Sequence, residues 1–298
     1  MNGVLQKSKI TATQTTELGA PAVKLTGLGN YSLYKTFDCG QCFRFEASDA
    51  IKGGFEGVAY GRFLRVYQTT TDDMTLLNTT LDEYESIWRR FFSIDKDWDM
   101  IKEDISSRAP ALREAAEYAG DIRILTQDRF EAVVSFIISQ CNNIPRIKGL
   151  VRALCEHYGK PLLTPEGKTV YTFPTPESIL AHPLSELSAL KLGYRDKYIY
   201  AAAKAARDGI LDEISAAPTT KEAQRIICSI EGVGAKVASC ALLFGFERYD
   251  AFPVDVWMKR ALARLFPNVN DYSVFGDYAG VAQQYMFYCE RYINSKSE

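Results

Sequence analysis

The stretch EGVGAKVASC, residues 231–240, joins two segments of helical pattern through two closely spaced glycines. The apolar-faced segment EAQRIICSI leads into it, and KVASCALLFG leads out of it. Gly232 and Gly234 permit a tight turn, so the sequence predicts a helical hairpin. A P-loop needs four residues between its first glycine and the GK pair, and a dinucleotide fingerprint needs a third glycine. Both nucleotide-binding motifs are therefore excluded by spacing.

The predicted turn would leave backbone amides facing outward at the N-terminus of the second helix. Such amides, together with the positive end of the helix dipole, bind a phosphate without reading a base. A plain helical corner fits the same residues equally well, because GxG turns between helices are common. The hairpin alone leaves both interpretations open.

Lys236 in this hairpin is followed nineteen residues later by Asp255, in the stretch AFPVDVWMKRALARL. The apolar pattern after Asp255 predicts a helix that begins there, so this aspartate alone fits an N-cap. A lysine and an aspartate near two helix starts could also share one pocket. A lysine amine attacks carbon only when neutral, which burial favours, and a nearby carboxylate can stabilise positive charge developing on a sugar. The pair therefore suggests nucleophilic chemistry at a sugar carbon.

The rest of the chain divides into a strand-like and a helical part. From Val23 to about Leu81 the segments are short and alternating, as in RFLRVYQ, and are separated by glycines. The later pattern is helical. We therefore predict an α+β fold. It has an antiparallel β-sheet domain over residues 1–120, starting with a loose polar extension of about twenty residues, and a mostly α-helical region over residues 121–298 containing the hairpin at about 222–245.

Composition limits the classes of function. The formal net charge of −2 gives no global positive field, so any nucleic-acid contact must be local. Seven cysteines, an odd number in a long chain, fit reduced thiols better than a disulfide framework. The N-terminal residues lack the apolar core of a signal peptide, and no run is long enough to span a bilayer. We expect an intracellular protein without membrane contact.

The glycine hairpin, Lys236 and Asp255 together resemble the helix-hairpin-helix, Gly/Pro-rich loop and aspartate signature of base-excision DNA glycosylases. The fuller resemblance is to the 8-oxoguanine DNA glycosylase/AP lyase family, and it extends from roughly Leu25 to Tyr292. It implies helical glycosylase lobes with the cleft between them. It also implies that Lys236 attacks C1′ of the damaged nucleotide and holds the sugar as a Schiff base before β-elimination, assisted by Asp255.

The resemblance also implies the residues that bind the flipped base. In GQCFRF the carbonyl of Gly40 would accept the N7 hydrogen that 8-oxoguanine has and guanine lacks. Gln283 and Phe287 would hydrogen-bond the base edge and stack on its face, and Cys240 would lie against the base. The residues alone also fit ordinary alternatives: a strand-edge glycine, a core phenylalanine, a buried small cysteine, and a redox or zinc pair at Cys39-x-x-Cys42.

The remaining implied contacts involve the rest of the DNA. The loop CNNIPRI would fill the gap left in the duplex. Arg146 and Arg195 would face the unpaired cytosine, and Tyr194 would form a wedge beside it. A salt-bridged structural role for Arg195 is an alternative. The DNA-binding candidates are Asn142, Asn143, Arg146, Tyr194, Arg195, Gly232, Gly234, Val237 and Trp257. Two positions depart from the family pattern: Cys141 replaces an asparagine, and Trp257 stands where a histidine is frequent.

The resemblance implies no required cofactor. A structural monovalent or divalent cation at the hairpin is a further expectation, bound through the carbonyls of Cys228, Ile230 and Val233. We expect a monomer that acts on double-stranded DNA containing 8-oxoguanine opposite cytosine, in the nucleoid of a prokaryote or the nucleus of a eukaryote.

Three other classes compete with this prediction. Endonuclease III-type enzymes carry four C-terminal cysteines for an iron–sulfur cluster, but Cys289 stands alone here. Alkylbase glycosylases lack the lysine. A DNA-binding module without catalysis would use the hairpin only to grip phosphate.

Overall fold

The computed structural model describes residues 10–269 and 271–292. Its N-terminal part is a six-stranded antiparallel sheet with the strand order β1-β2-β6-β5-β4-β3. A separate antiparallel pair, β7-β8, lies in the helical part. The strands are β1 (Thr11–Glu17), β2 (Ala20–Thr26), β3 (Phe45–Ala47), β4 (Phe55–Ala59), β5 (Arg62–Tyr67), β6 (Asp73–Leu77), β7 (Pro161–Leu163) and β8 (Thr169–Tyr171).

Strand β1 corrects the prediction of a loose N-terminal extension. It pairs with β2 from Thr11 opposite Thr26 to Glu17 opposite Ala20, through a two-residue turn in which Leu18 and Gly19 both have positive φ. The strand is polar because it lies at a sheet edge, and its threonines favour extended backbone. The extension prediction is therefore wrong for residues 11–17, and residues 1–9 lie outside the described part.

The helical part follows the sheet, which confirms the predicted α+β class. Its short first elements include a π-helical turn, Tyr84–Trp88, and a 3-10 turn, Pro110–Leu112. A further 3-10 segment, Tyr272–Tyr278, precedes the last helix. The helices are α1 (Leu33–Asp38), α2 (Leu81–Glu83), α3 (Arg89–Phe91), α4 (Trp98–Arg108), α5 (Arg113–Ala119), α6 (Arg129–Ile138), α7 (Ile144–Tyr158), α8 (Pro176–Leu180), α9 (Leu184–Ala189), α10 (Arg195–Arg207), α11 (Ile210–Ala216), α12 (Thr220–Ile227), α13 (Ala235–Gly245), α14 (Val256–Leu265) and α15 (Ala279–Tyr292).

Helix boundaries follow the capping signals in the sequence. The Thr175 hydroxyl accepts from the amide of Ser178 at the start of α8, and the Thr219 hydroxyl accepts from the amide of Glu222 at the start of α12. Each cap satisfies an amide that the helix itself leaves unpaired. Helices α8 and α12 thus each begin after a capping threonine.

Helices α6 and α13 form the centre of the helical part. Every residue of α6 from Phe130 to Ile138 is buried, and all of them except Glu131 and Ser135 are apolar. A Cβ at Gly245 would lie 2.7 Å from the Cβ of Ala132, so glycine lets the two helices approach closely. The rings of Phe136 and Phe244 stack at 5.3 Å beside this contact. The tight packing of α6 against α13 therefore holds the residues at the ends of both helices in fixed positions.

The sheet covers a separate aromatic core. Leu64 and Val66 of β5 are fully buried, and the core beneath them includes Trp88, Phe91 and Phe92.

No helix among the described residues is long and apolar enough to cross a membrane. The division of the chain after residue 120 stays a prediction.

Candidate active site

The predicted helical hairpin is formed by α12, a glycine turn and α13. Gly232 has φ +85°, and a Cβ there would overlap the ring of Tyr198 on α10. Gly234 is the N-cap of α13, and no atom lies within 4 Å of the position a Cβ would take. The first helical bond runs from the amide of Ala238 to the carbonyl of Gly234, 2.9 Å. The amides before Ala238 are thus available at the helix start, including that of Val237, whose side chain is buried.

Lys236 lies in the first turn of α13 and reaches a cleft of about 690 Å³. Its side chain is partly buried. The Nζ atom donates to the Oγ of Ser139, 3.1 Å, and lies 5.4 Å from the centre of the Phe136 ring. The amine is therefore held at a cavity wall and does not extend into bulk solvent.

Asp255 lies at the start of α14 and lines the same cleft. Its Oδ1 accepts from the amide of Met258, 2.9 Å, so it is the N-cap that the sequence suggested. Capping and lining the cleft are compatible, because one carboxylate oxygen can bond the helix while the other remains available. Both interpretations of this residue therefore hold.

Cys240 lies one turn after Lys236 and is buried, outside the cleft lining. Burial raises the pKa of its thiol, the nearby Lys236 ammonium lowers it and the Asp255 carboxylate raises it. The thiol itself is held in its protonated form by burial.

Gly40 also lines the cleft. Its φ is +78°, and a Cβ there would come within 3.4 Å of the Ile144 side chain and 3.8 Å of the Phe287 ring. The turn is fixed by buried Gln41, whose side chain donates to the Arg123 carbonyl, 2.7 Å, and accepts from the Leu125 amide, 2.8 Å. Within the described residues, the Gly40 carbonyl accepts no hydrogen bond. It is thus available to a ligand.

Phe287 and Gln283 on α15 are placed differently. The partly buried Phe287 ring lines the cleft with Gly40. Gln283 is buried behind it and does not line the cleft, and its Oε1 accepts from the side chain of Gln284, 2.9 Å. The structure brings Phe287, Gly40, Lys236 and Asp255 to one cavity but leaves Gln283 paired within the helix.

The residues from Gln140 to Arg146, named here the 140–146 loop, comprise the connection after α6 and the first residues of α7, and all of them except Arg146 line the cleft. Asn142 donates to the Ile138 carbonyl, 2.7 Å, and Asn143 caps α7 by accepting from the Arg146 amide, 3.0 Å. The Arg146 side chain is exposed. The two asparagines are therefore engaged within the loop, whereas Arg146 faces solvent.

Arg195 at the start of α10 is buried beneath this loop. Its guanidinium donates to the Gln140 carbonyl, 3.0 Å from Nε, and to the Leu192 carbonyl, 3.1 Å, and it stacks at 4.4 Å on the Tyr194 ring. These partners are carbonyls and an aromatic ring rather than a carboxylate, so the salt-bridged alternative does not describe this side chain. Tyr194 is 47% exposed beside it.

The two departures from the family pattern lie on this side of the molecule. Cys141 is exposed and has φ +50°, a conformation that asparagine tolerates better than cysteine. Desolvation and a hydrogen bond to Cys141 both raise the pKa of Tyr194. Trp257 lines the cleft, and the Arg260 guanidinium lies 5.3 Å from its ring. Both departures thus affect the walls around the cleft.

Three residues near the amine were missed from the sequence. Ser139 and Phe136 contact Lys236, and Gln140 donates to the Gly232 carbonyl, 3.2 Å, so it ties the 140–146 loop to the hairpin. The spacing of Phe136 and Ser139, one helical turn apart at the end of an apolar helix, is the signal that could have indicated a shared face.

The cysteines and hairpin carbonyls bear on metal binding. All seven cysteines are free, and burial raises the pKa of Cys39 to about 12 and that of Cys42 to about 11, which disfavours a reactive pair. Within the described residues no cluster of three His, Cys, Asp or Glu side chains could hold a metal. The Ile230 carbonyl accepts from the Val233 amide, 3.0 Å, and keeps a second lone pair for a cation.

Two family models together match most of the chain. The model for the N-terminal domain of 8-oxoguanine DNA glycosylase matches residues 25–133, and the model for the HhH-GPD superfamily of base excision DNA repair proteins matches residues 134–273. The N-glycosylase/DNA lyase OGG1 of Arabidopsis thaliana is 29% identical over 288 residues, which cover 86% of this chain and 76% of that protein.

Two solved structures with the same architecture match nearly the whole chain. MBOgg1, solved with a low affinity DNA ligand, is 36% identical with a TM-score of 0.87, covering 96% of this chain and 99% of that one. The Clostridium acetobutylicum 8-oxoguanine glycosylase/lyase, solved with double-stranded DNA containing cytosine opposite 8-oxoguanine, is 32% identical with a TM-score of 0.87. It covers 97% of this chain and 100% of its own.

Proposed function

The chain belongs to the 8-oxoguanine DNA glycosylase/lyase family of base excision repair, and on that premise we propose that Lys236 performs both of its chemical steps. The enzyme would flip 8-oxoguanine out of duplex DNA, excise it through a covalent bond to this lysine, and cleave the resulting abasic strand. The observation that carries the proposal is that Lys236 and Asp255 line one cleft together with Gly40 and Phe287. Nucleophile, carboxylate and base-contacting groups thus surround one space.

In the excision step, the lone pair of the neutral Lys236 amine forms a bond to C1′. The electrons of the bond between C1′ and the base leave with the base, which takes up a proton. Asp255 would stabilise the positive charge that develops on the sugar as that bond breaks. Loss of a proton from the attached nitrogen and opening of the sugar ring then give the Schiff base.

The strand-cleavage step follows from the same covalent intermediate. The Schiff base withdraws electrons from C1′ and makes a hydrogen on C2′ acidic. Removal of that proton forms a C1′–C2′ double bond while the imine π electrons move onto the nitrogen. The nitrogen electrons then reform the imine, a C2′–C3′ double bond forms, and the C3′–O bond breaks so that the 3′ phosphate leaves with its electrons. Water hydrolyses the remaining imine and returns the lysine amine. The lyase activity therefore needs no cofactor.

Lesion recognition would use Gly40 and Phe287, which line the same cleft as the lysine. The Gly40 carbonyl is available to accept the N7 hydrogen of 8-oxoguanine, and guanine, with an unprotonated N7, would place two acceptors against each other. Phe287 would stack on the base and offset part of the energy lost in unstacking it. Cys240 would support the base from beneath, and Gln283 would read its edge after exchanging its bond to Gln284.

The proposed DNA partner is a duplex with cytosine opposite 8-oxoguanine, bound by a monomer inside the cell. The amides of the hairpin would grip a phosphate, and a cation on the turn carbonyls would support the same contact. Arg146, Arg195, Tyr194 and the asparagines of the 140–146 loop would occupy the gap left by the flipped base. Trp257 would contact the backbone beside the cleft.

Borohydride trapping on duplex DNA containing 8-oxoguanine tests the lysine chemistry. Reduction should attach the wild-type protein covalently to DNA, whereas Lys236→Gln should give no adduct while retaining duplex binding. Lys204→Gln, which removes an exposed lysine on α10, serves as the matched control and should trap normally. A protein that binds but is never trapped would instead be a DNA-binding module. Equal cleavage of DNA containing guanine and 8-oxoguanine would refute the assigned base contacts.

A further inference from the structure

Ser139 ends α6 at the point where the amine of Lys236 reaches the cleft. Its hydroxyl donates to the Phe136 carbonyl, 2.8 Å, and its Oγ lies 3.1 Å from the lysine Nζ. A serine hydroxyl carries a single proton. Because that proton is used by the Phe136 carbonyl, the oxygen meets the lysine as an acceptor.

This arrangement restricts the direction of the amine. A neutral amine has two N–H groups and one lone pair, and rotation about its last carbon bond would otherwise point the lone pair anywhere. An N–H donated to Ser139 fixes that rotation and directs the lone pair away from the serine. We infer that Ser139 is the positioning residue that aims the Lys236 amine into the cleft, an inference that rests on the proposed function.

The position of Ser139 is set by packing rather than by a mobile loop. The amide of Ser139 donates to the Ser135 carbonyl, 3.0 Å, as part of α6. The close contact of Gly245 with Ala132 fixes α6 against α13, which carries the lysine. Partners on two packed helices hold their geometry better than partners on loops.

A purely structural role for Ser139 makes different predictions. Serine hydroxyls near the ends of helices commonly bond a carbonyl of the preceding turn, and such a bond affects stability alone. Ser215 on α11 has this arrangement, with its hydroxyl on the Leu211 carbonyl at 2.7 Å. Ser215→Ala is therefore a matched control that removes a helix-carbonyl bond without touching the amine.

The test measures single-turnover borohydride trapping on a duplex with a preformed abasic site, so that base recognition does not contribute. Ser139→Ala should slow trapping about tenfold or more, since small misplacement of a reacting group costs large factors in rate. Affinity for a duplex carrying a tetrahydrofuran abasic analogue should stay within about twofold of wild type. Ser139→Thr keeps the hydroxyl and should restore most of the rate, and Ser215→Ala should trap at the wild-type rate.

Two outcomes would overturn the inference. Either Ser139→Ala traps as fast as wild type, or Ser139→Ala and Ser139→Thr are equally slow and lose DNA affinity together. If wild type itself gives no adduct, the proposed Schiff base fails. The two failures are therefore distinguishable.

Discussion

The cleft and the 140–146 loop face the same proposed DNA but differ in how their polar groups are used. In the cleft, the Gly40 carbonyl accepts no bond from the described residues, and among those residues only the amide of Met258 donates a hydrogen bond to the Asp255 carboxylate. In the loop, Asn142 and Asn143 bond their own backbone, and Arg195 below the loop bonds the Gln140 carbonyl. Polar groups in the cleft are therefore available to a ligand, whereas the polar groups named in and below the loop already have hydrogen-bond partners within the protein.

This difference suggests that the cleft carries out the chemical steps and that the 140–146 loop contributes to recognition of the duplex. A preformed cleft lets the nucleophile and carboxylate act without rearrangement, which is where orientation lowers a barrier most. A loop that bonds itself must exchange those bonds for contacts to DNA, and each exchange changes the net free energy little. Substitutions in the cleft should therefore affect rate, and those around the loop should affect stability or discrimination between opposite bases.

The largest effect is expected at Asp255, where charge and capping can be separated. Asparagine caps a helix about as well as aspartate, so Asp255→Asn keeps the bond to the Met258 amide while removing the charge. We expect the single-turnover excision rate to fall about a hundredfold, with little change in melting temperature. Asp255→Ala should lose the rate and also about 1 kcal/mol of stability.

Rapid-quench kinetics and thermal unfolding of both variants check this separation. If Asp255→Asn retained the excision rate, the conclusion that the cleft determines the rate would be wrong. It would also be wrong if the asparagine variant were as unstable as the alanine one, since the charge would then act on folding instead of chemistry.

Local signals explain which features could be predicted from the sequence. The hairpin follows from Gly232 and Gly234, and the helix starting after Asp255 follows from its capping residue and apolar period. The strand β1 was missed because its polar composition hides an edge strand, whose backbone pairing depends on a partner. Patterning within a segment cannot reveal what the rest of the chain supplies.

Long-range packing explains the remaining misses in the site. The hydrogen bond between Ser139 and Lys236 joins residues that are far apart in the sequence, and the residues around Ser139 do not indicate that its partner is a lysine. Arg195 fits an exposed DNA contact by sequence, yet it is buried on backbone carbonyls. Gln283 is four residues from Phe287 on α15, but its side-chain oxygen already accepts a hydrogen bond from the side chain of Gln284. At Arg195 and Gln283 a polar contact was predicted but its partner was not, and at Ser139 no contact was predicted.

The second effect concerns the two glycines of the hairpin that presents Lys236. A Cβ at Gly232 would overlap the Tyr198 ring, and its φ of +85° also strains any other residue. Gly232→Ala should lower the free energy of unfolding by about 3 kcal/mol. At Gly234 no atom lies within 4 Å of the new Cβ, so Gly234→Ala should cost less than about 1 kcal/mol through the weaker N-cap alone. Urea denaturation measures both, and equal costs would show that the turn is not held by Tyr198.

The smallest effect compares the two arginines near the 140–146 loop. Arg195→Ala removes a buried guanidinium and leaves the Gln140 and Leu192 carbonyls without their donor, so the free energy of unfolding should fall by about 2 kcal/mol. Arg146→Ala removes an exposed side chain and should change it by less than about 0.5 kcal/mol. Both variants should discriminate less well between cytosine and other bases opposite the lesion, measured as ratios of kcat/KM. If Arg146→Ala proved the more destabilising, the loop would depend on an exposed side chain for its shape. If neither variant changed the ratios, the opposite base would be read by other residues.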